Sequence, residues 1–186
     1  LLDISKAICE GKNVVEISGR FYQDTELESI YVVGDFGVDL ITREIIKEKS
    51  RISIGDWVNQ ALPFYGGSIV YTKDIIIKKK KGEKVFLCLP ELRHTVTSVS
   101  VNGVQAGIIP WEPNEVEITP FIKNGKNKIE IEVVGSRRNM MGPHHEIERP
   151  LWIGPYNFFP EGKNWTDRYV FVPYGIMKNP IIEYRI

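Results

Sequence analysis

The sequence is poor in cysteine and histidine, has no net charge and lacks long apolar runs. Its 186 residues include only two cysteines, Cys9 and Cys88, and three histidines. Lysine plus arginine equals aspartate plus glutamate at 24 each, so charge gives no support for a nucleic acid or an anionic membrane as a partner. No apolar run approaches the length of a membrane span. A chain of this length buries enough apolar surface to fold without a disulfide, so the two cysteines either pair or stay free.

Helical signals are also scarce, whereas strand signals recur along the chain. Asn102-Gly103, between two valine-containing runs, favours the type I′ turn of a tight hairpin. Residues 127–136 alternate apolar side chains with glutamates, as in a strand with one buried face. The pattern predicts an all-β antiparallel sandwich. The segments with strand signals are 13–21, 28–40, 67–78, 83–90, 94–109, 114–122, 127–136, 168–176 and 180–186.

The segments between the predicted strands indicate two short helices, one long loop and the bounds of the domain. Residues 53–62 are the best candidate for a short helix, with Asp56 as its cap, and residues 5–11 are the second. Residues 143–167 are rich in proline, glycine and aromatics without periodicity, and they indicate a long ordered loop over the sandwich. We expect one domain over 1–186, with 1–27 as a less certain N-terminal extension. Because the chain begins "LLDISKAI" without methionine, we expect it to be a piece of a longer protein.

Several motifs in succession resemble a known domain. They are "LPFYGGSIVYTKDI", "VSVNGVQAG" and "NEVEITPFIKNGKNKIEIEVVGSRRNMMGPHH", flanked by "YVVGDFGV" and "DRYVFVPYGI". Together they resemble the sugar-binding, galactose-binding-like β-sandwich of family 2-type glycoside hydrolases. They also resemble the C-terminal region of large bacterial proteins similar to α-L-rhamnosidases. The resemblance covers roughly residues 28 to 186, and its specificity lies in the order of the motifs.

The resemblance implies a galactose-binding-like jelly roll that contains none of the catalytic residues, which in such enzymes usually lie on another domain. The expected function is a non-catalytic accessory module of a glycoside hydrolase. It would brace the catalytic domain of the parent chain and bind carbohydrate weakly. Two alternatives stay open: a glycosidase fragment that contributes catalytic or substrate-contacting residues, and a structural or adhesion domain without a ligand. The resemblance does not decide between a cytoplasmic and a secreted location.

Six residues are candidates for contacting a sugar, because aromatic faces and planar polar groups recognise carbohydrate. In a sandwich the loops at one end gather together, so polar and aromatic residues on them form one shallow site. The alternative is that the tryptophans pack at the edge of the core and the polar groups bond loop carbonyls. The candidates are Trp111, Arg137, Asn139, His144, His145 and Trp152.

Catalysis by this chain itself has weaker support. Cys88 lies in an apolar run, where burial raises the pKa of a thiol and makes it inert, and no nucleophile-elbow motif occurs. Glycoside hydrolysis needs two facing carboxylates, and nothing in the sequence pairs the loop glutamates. Those glutamates are Glu112, Glu115, Glu146 and Glu148.

Metal and cofactor signals are equally sparse, and no cofactor is expected. His144, Glu146 and Glu148 share one face of an extended chain, but no second cluster completes a tetrahedral site. A structural calcium ion, held by loop carbonyls and a carboxylate such as Asp35 or Asp39, stays open.

The segment after residue 150 concentrates aromatic side chains, and any that remain exposed would mark a face for a partner domain. These are Trp152, Tyr156, Phe158, Phe159, Trp165 and Tyr169.

Overall fold

In the computed structural model, which describes residues 1–25, 30–148 and 152–186, the regular secondary structure follows residue 35. The chain divides into two units, Leu1–Gly34 and Asp35–Ile186. The described residues of the first unit contain turns but no helix or strand. No helix in the described part of the chain is long and apolar enough to cross a membrane.

In the first unit, the predicted strand over 13–21 and the predicted helix over 5–11 are wrong. The backbone there is held by local bonds instead. The Asn13 side chain accepts from the Cys9 amide (2.9 Å) and donates to the Cys9 carbonyl (2.8 Å). A strand needs a second strand to satisfy its backbone, and this unit supplies none among its described residues. In the predicted strand over 28–40, only Phe36–Asp39 is a strand, and residues 28 and 29 lie outside the described residues.

The second unit is built from antiparallel strands, and the predicted all-β sandwich is confirmed. The described residues form eleven strands: β1 (Phe36–Asp39), β2 (Glu44–Lys47), β3 (Ser68–Ile77), β4 (Lys84–Cys88), β5 (Leu92–Arg93), β6 (Val96–Val101), β7 (Val104–Ile109), β8 (Glu115–Glu117), β9 (Gly125–Val134), β10 (Gly175–Ile176) and β11 (Ile181–Arg185). The helical turns are α1 (Arg138–Met141) and three 3-10 helices, Val58–Gln60, Thr119–Phe121 and Pro155–Phe158.

The larger sheet has the strand order β3-β9-β6-β7, with every pair antiparallel. The predicted hairpin is β6–β7, and its two turn residues, Asn102 and Gly103, have φ values of 54° and 81°. Strand β9 pairs with β3 over ten residue pairs, so the alternation seen in 127–136 fixes the register of both strands. Ile129, Ile131 and Val133 point into the core from this sheet.

The smaller sheet, with the order β11-β4-β8, supplies the second layer. Val85 and Leu87 of β4 lie in the same buried cluster as the apolar residues of β9 and β6. The two layers approach closely where Gly107 of β7 faces Val116 of β8, because a Cβ at Gly107 would lie 2.5 Å from a Val116 methyl group. Glycine is therefore required at this contact between the sheets.

The segment over 53–62 precedes β3 and is bonded both to β3 and to the segment before β10. The predicted helix over 53–62 is only the 3-10 turn Val58–Gln60, since Ala61 adopts a left-handed conformation (φ 69°) that ends it. Asp56 is not the cap of this turn, because the N-cap is Trp57; the Asp56 Oδ1 instead accepts from the amides of Val58 (3.0 Å) and Tyr174 (3.2 Å). Trp57 is fully buried, and its Nε1 donates to the Tyr71 hydroxyl (2.7 Å).

Candidate functional site

The loop after β9 begins with α1 and is anchored by a buried amide. The Asn139 side chain is 2% exposed. Its Nδ2 donates to the Val172 carbonyl (2.7 Å), and its Oδ1 accepts from the Val172 amide (2.8 Å). Asn139 therefore binds the segment before β10 as a neighbouring strand would, and its polar atoms face the protein rather than solvent.

His144 fixes the same loop from the other side. Its Nε2 lies 2.7 Å from the Asn139 carbonyl, so that nitrogen carries the hydrogen and donates. Its ring packs edge-on against Phe64, at 5.4 Å between centroids, and lies beside Tyr169 and Phe171. Burial lowers the pKa of His144, because the charged imidazolium loses hydration among these rings.

His145 points toward a different group of rings. Its Nδ1 lies 3.0 Å from the Thr166 carbonyl and donates to it. Its ring centroid is 5.0 Å from that of Tyr169 and 6.2 Å from that of Trp165. The adjacent histidines thus lie against separate aromatic neighbours except for Tyr169, which both contact.

The remaining three predicted residues are exposed. Trp111, in the loop after β7, is 75% exposed, Trp152 is 84% exposed, and Arg137 is exposed at the start of α1. Thr97 of β6 pairs with both Ile109 and Val133, so the loops after β7 and β9 leave the same end of the sheet. The C-terminal ends of β7 and β9, where these loops begin, lie two strand spacings apart, about 10 Å. The structure brings Asn139, His144 and His145 together, but it shows no ring contact of Trp111 or Trp152 with them among the described residues.

A cleft of about 260 Å³ lies beside His145, within the long segment after residue 143. Its frame is a short antiparallel pairing: Glu146 is bridged to Trp165, and the Ile147 amide donates to the Asn164 carbonyl (2.8 Å). The pairing joins residues 146–147 to residues 164–165, two distant parts of the predicted loop. Residues lining the cleft include His145, Glu146, Tyr156, Asn157, Phe159 and Trp165.

The carboxylate of Glu146 is held in place at the wall of this cleft. Asn157 Nδ2 donates to both of its oxygens, at 2.8 and 2.9 Å. Asn157 is itself oriented, because its Oδ1 accepts from the Gly154 amide (2.7 Å). Sequence reasoning singled out the aromatic residues of this segment but missed Asn157, Glu161, Lys163 and Asn164, which also line the cleft. No short motif identifies these residues, because their grouping depends on the pairing of segments about twenty residues apart.

The predicted set of His144, Glu146 and Glu148 is dispersed among other partners. The Nε2 of His144 bonds the Asn139 carbonyl, the Glu146 carboxylate bonds Asn157, and Glu148 accepts from Asn164 Nδ2 (3.3 Å). Of the two carboxylates considered for calcium, Asp39 accepts from the amides of Ile41 and Thr42 and caps the turn between β1 and β2.

In the described part of the chain, three potential metal ligands converge elsewhere, on the outer face of the smaller sheet. Donor atoms of Cys88, Glu115 and Glu183 lie within 4.8 Å of one another. Arg185 already occupies this position: its Nη2 donates to Glu115 (2.6 Å) and Glu183 (2.7 Å), and its guanidinium lies over the Phe86 ring. Both carboxylates are thus already paired with an internal cation.

Cys88 is free and buried, and Cys9 is free and exposed. Burial, with a further contribution from the Glu183 and Glu115 carboxylates, raises the pKa of Cys88 to about 11. The thiolate is therefore scarce at neutral pH, which excludes Cys88 as an activated nucleophile.

No protein-family model matches the chain, and no curated protein matches it. Among solved structures, a rhamnosidase from Novosphingobium sp. PP1Y is similar with a TM-score of 0.55 and 18% identity, over 82% of this chain and 14% of the rhamnosidase chain. A β-glucuronidase from Dictyoglomus thermophilum gives 0.40 and 24%, over 66% of this chain and 21% of that one. An FMN-binding β-glucuronidase from Facaelibacterium prausnitzii L2-6 gives 0.41 and 17%, over 69% and 18%. The chain thus shares its fold with a part of the rhamnosidase and spans about one seventh of that protein's length.

Proposed function

We propose that the chain is a non-catalytic accessory module of a larger glycoside hydrolase, a galactose-binding-like jelly roll that braces the catalytic domain and binds carbohydrate weakly. The observation that carries the proposal is the fold shared with a region of the rhamnosidase across 82% of this chain. That region is 14% of the rhamnosidase chain, a share suited to an accessory part of a large enzyme.

Exposed aromatic side chains support the bracing role. Trp152, Tyr156, Phe158 and Phe159 are each more than half exposed. Large apolar side chains in contact with water favour burial against another protein surface. We therefore assign the segment 152–159 to contact with the catalytic domain or with the substrate that this domain holds.

The six predicted sugar-contacting residues divide into two roles in this proposal. Trp111, Arg137 and Trp152 are exposed and free to meet a ligand in solution. Asn139, His144 and His145 use ring or amide nitrogens to bond backbone carbonyls, so we assign them to positioning the loop.

A thermal-shift assay against a panel of mono- and oligosaccharides tests the binding role. We expect a saturable rise in melting temperature with at least one sugar. The same panel run with calcium and with a chelator separates a ligand from a structural ion. A flat response to every sugar would reduce the proposal to bracing alone.

The alternative of a catalytic fragment is favoured by one observation, that Glu146 and Glu161 line the same cleft. Paired carboxylates are the groups that glycoside hydrolysis requires. This alternative predicts turnover of a chromogenic glycoside by the chain, lost in Glu146→Gln. Absence of turnover in the unmodified chain would exclude it. A structural or adhesion domain predicts no response to sugars together with self-association, measured by sedimentation.

A further inference from the structure

The geometry points to the cleft between residues 145–146 and 156–165 as a subsite for one neutral pyranose ring, whose hydroxyl groups donate hydrogen bonds to the Glu146 carboxylate. This inference rests on the proposed carbohydrate binding, but it moves the site away from Trp111 and defines the class of sugar.

The size of the cleft limits the ligand to one ring. Its volume is about 260 Å³, just below the range of roughly 300–1,000 Å³ typical of pockets for drug-sized molecules. An oligosaccharide exceeds this space, whereas a single hexose unit fits it. The ligand is therefore a monosaccharide or the terminal unit of a glycan.

The walls of the cleft include three aromatic side chains. Tyr156, Phe159 and Trp165 all line the cleft. The negative face of an aromatic ring attracts the weakly positive C–H groups on one side of a pyranose. His145 stacks near Trp165, at an interplanar angle of 30°, and limits the movement of the indole. Aromatic walls with few rotatable bonds lower the entropy lost on binding.

The polar group that recognises the ligand is Glu146. Asn157 satisfies one lone pair on each of its two oxygens, at 2.8 and 2.9 Å, and holds the carboxylate in a fixed orientation. Each oxygen keeps an outward-facing lone pair that can accept a hydrogen bond from a sugar hydroxyl. Such a bond to an ionised carboxylate is stronger than one between neutral groups.

The charge of the cleft selects a neutral sugar over an acidic one. Glu146 and Glu161 supply two carboxylates and Lys163 supplies one ammonium group. Neither Glu161 nor Lys163 forms an ion pair with the residues that the structure describes. Glu161 and Lys163 are exposed and largely screened by solvent, so the half-buried Glu146 carboxylate dominates and disfavours a uronate.

Saturation-transfer difference NMR on the full chain, with methyl glycosides of neutral hexoses and 6-deoxyhexoses, tests this assignment. We expect binding in the millimolar range by at least one neutral glycoside. Glu146→Gln and Tyr156→Ala should each weaken it at least tenfold. Tyr156 is 66% exposed, so its removal leaves the fold intact, and near-UV circular dichroism verifies this for both variants.

One control variant, two comparison variants and one matched ligand separate the possible outcomes. Tyr184→Ala removes an exposed ring of β11 that does not line the cleft, and we expect binding to be unchanged. Trp111→Ala and Trp152→Ala remove the other exposed candidates, and we expect a smaller loss of binding in each than in Glu146→Gln. Loss of binding in Trp111→Ala, with full binding in Glu146→Gln and Tyr156→Ala, would overturn the cleft assignment and leave the proposed function intact. The matching glucuronide should bind more weakly than its neutral counterpart, and the difference should shrink in Glu146→Gln. Equal binding of the two sugars would contradict the charge argument, and failure of every sugar would overturn both the subsite and the binding role.

Discussion

Replacing Asn139 with aspartate tests whether this side chain holds the loop after β9 or faces a ligand. The change keeps the Oδ1 acceptor for the Val172 amide. It replaces the Nδ2 donor by an oxygen that faces the Val172 carbonyl at 2.7 Å. With the side chain only 2% exposed, the ionised carboxylate loses hydration and gains a repulsive neighbour.

The magnitude follows from the two bonds and the charge. Asn139→Ala removes both bonds and leaves backbone groups of Val172 unpaired, so we expect a loss of about 2–4 kcal/mol in the free energy of unfolding. Asn139→Asp raises the pKa of the new carboxyl by several units, at about 1.4 kcal/mol per unit. We expect it to lose about 3–5 kcal/mol at pH 7. The loss should be smaller near pH 4, where the protonated carboxyl donates to the carbonyl again.

Guanidinium unfolding followed by tryptophan fluorescence at several pH values measures these losses. Because the folded state holds the added proton more tightly than the unfolded state, the stability of Asn139→Asp should decline as the pH rises above about 4. Asn139→Ala is the control, since its loss carries no such pH dependence relative to the unmodified chain. A change below about 0.5 kcal/mol for Asn139→Asp at pH 7 would refute the reasoning, as that value is typical of a surface position.

Three further predictions concern groups around the loops and the core. Burial lowers the pKa of His144 below 6.5, so the folded chain binds fewer protons than the unfolded chain. The free energy of unfolding should therefore fall as the pH drops through about 6.5 and level off below the folded pKa. Thermal unfolding at several pH values should show a smaller slope in His144→Gln. Iodoacetamide at pH 8 should modify Cys9 readily and Cys88 only in denaturant, by mass spectrometry, because burial raises the pKa of Cys88 to about 11. Gly175→Ala should lose about 2 kcal/mol or more in chemical unfolding, since φ is 125° and the added Cβ would lie 2.8 Å from Trp57 Nε1.

Controls for these experiments come from the same chain. Gly82 also has a positive φ, 90°, but open space around its Cβ position, so Gly82→Ala measures the backbone strain without the clash. Burial also lowers the pKa of His94, so part of the acid sensitivity should persist in His144→Gln. An unchanged acid slope in that variant, or equal labelling rates for the two cysteines in the native chain, would contradict the burial of the group concerned.

The strands with the strongest local signals were predictable from the sequence. Asn102-Gly103 specifies a turn that few other dipeptides adopt, and the hairpin β6–β7 follows from it. The alternation in 127–136 assigns one face of β9 to the core. Residues 13–21 carry a similar apolar pattern without forming a strand, because pairing depends on a partner that local composition does not reveal.

The candidate site was predictable only in part, because contacts between distant segments of the chain form it. The sequence around Asn139 and His144 does not reveal whether each side chain faces solvent or bonds a backbone carbonyl. Their orientation depends on contacts with Val172 and Phe64, which come from distant segments. The cleft depends on the bridge between Glu146 and Trp165, and no periodicity in the residues between them predicts that pairing.

The pairing of β11 with β4 has a consequence for how the chain folds during synthesis. Arg185 contacts Cys88 across 97 positions of sequence, so β4 lacks its β11 partner until that strand has been synthesised. Until then, one edge of β4 has unpaired backbone groups that are open to pairing with other nascent chains. Pairing between strands so far apart in sequence slows folding, so the β4 edge stays open for longer than the edges of the local hairpin β6–β7.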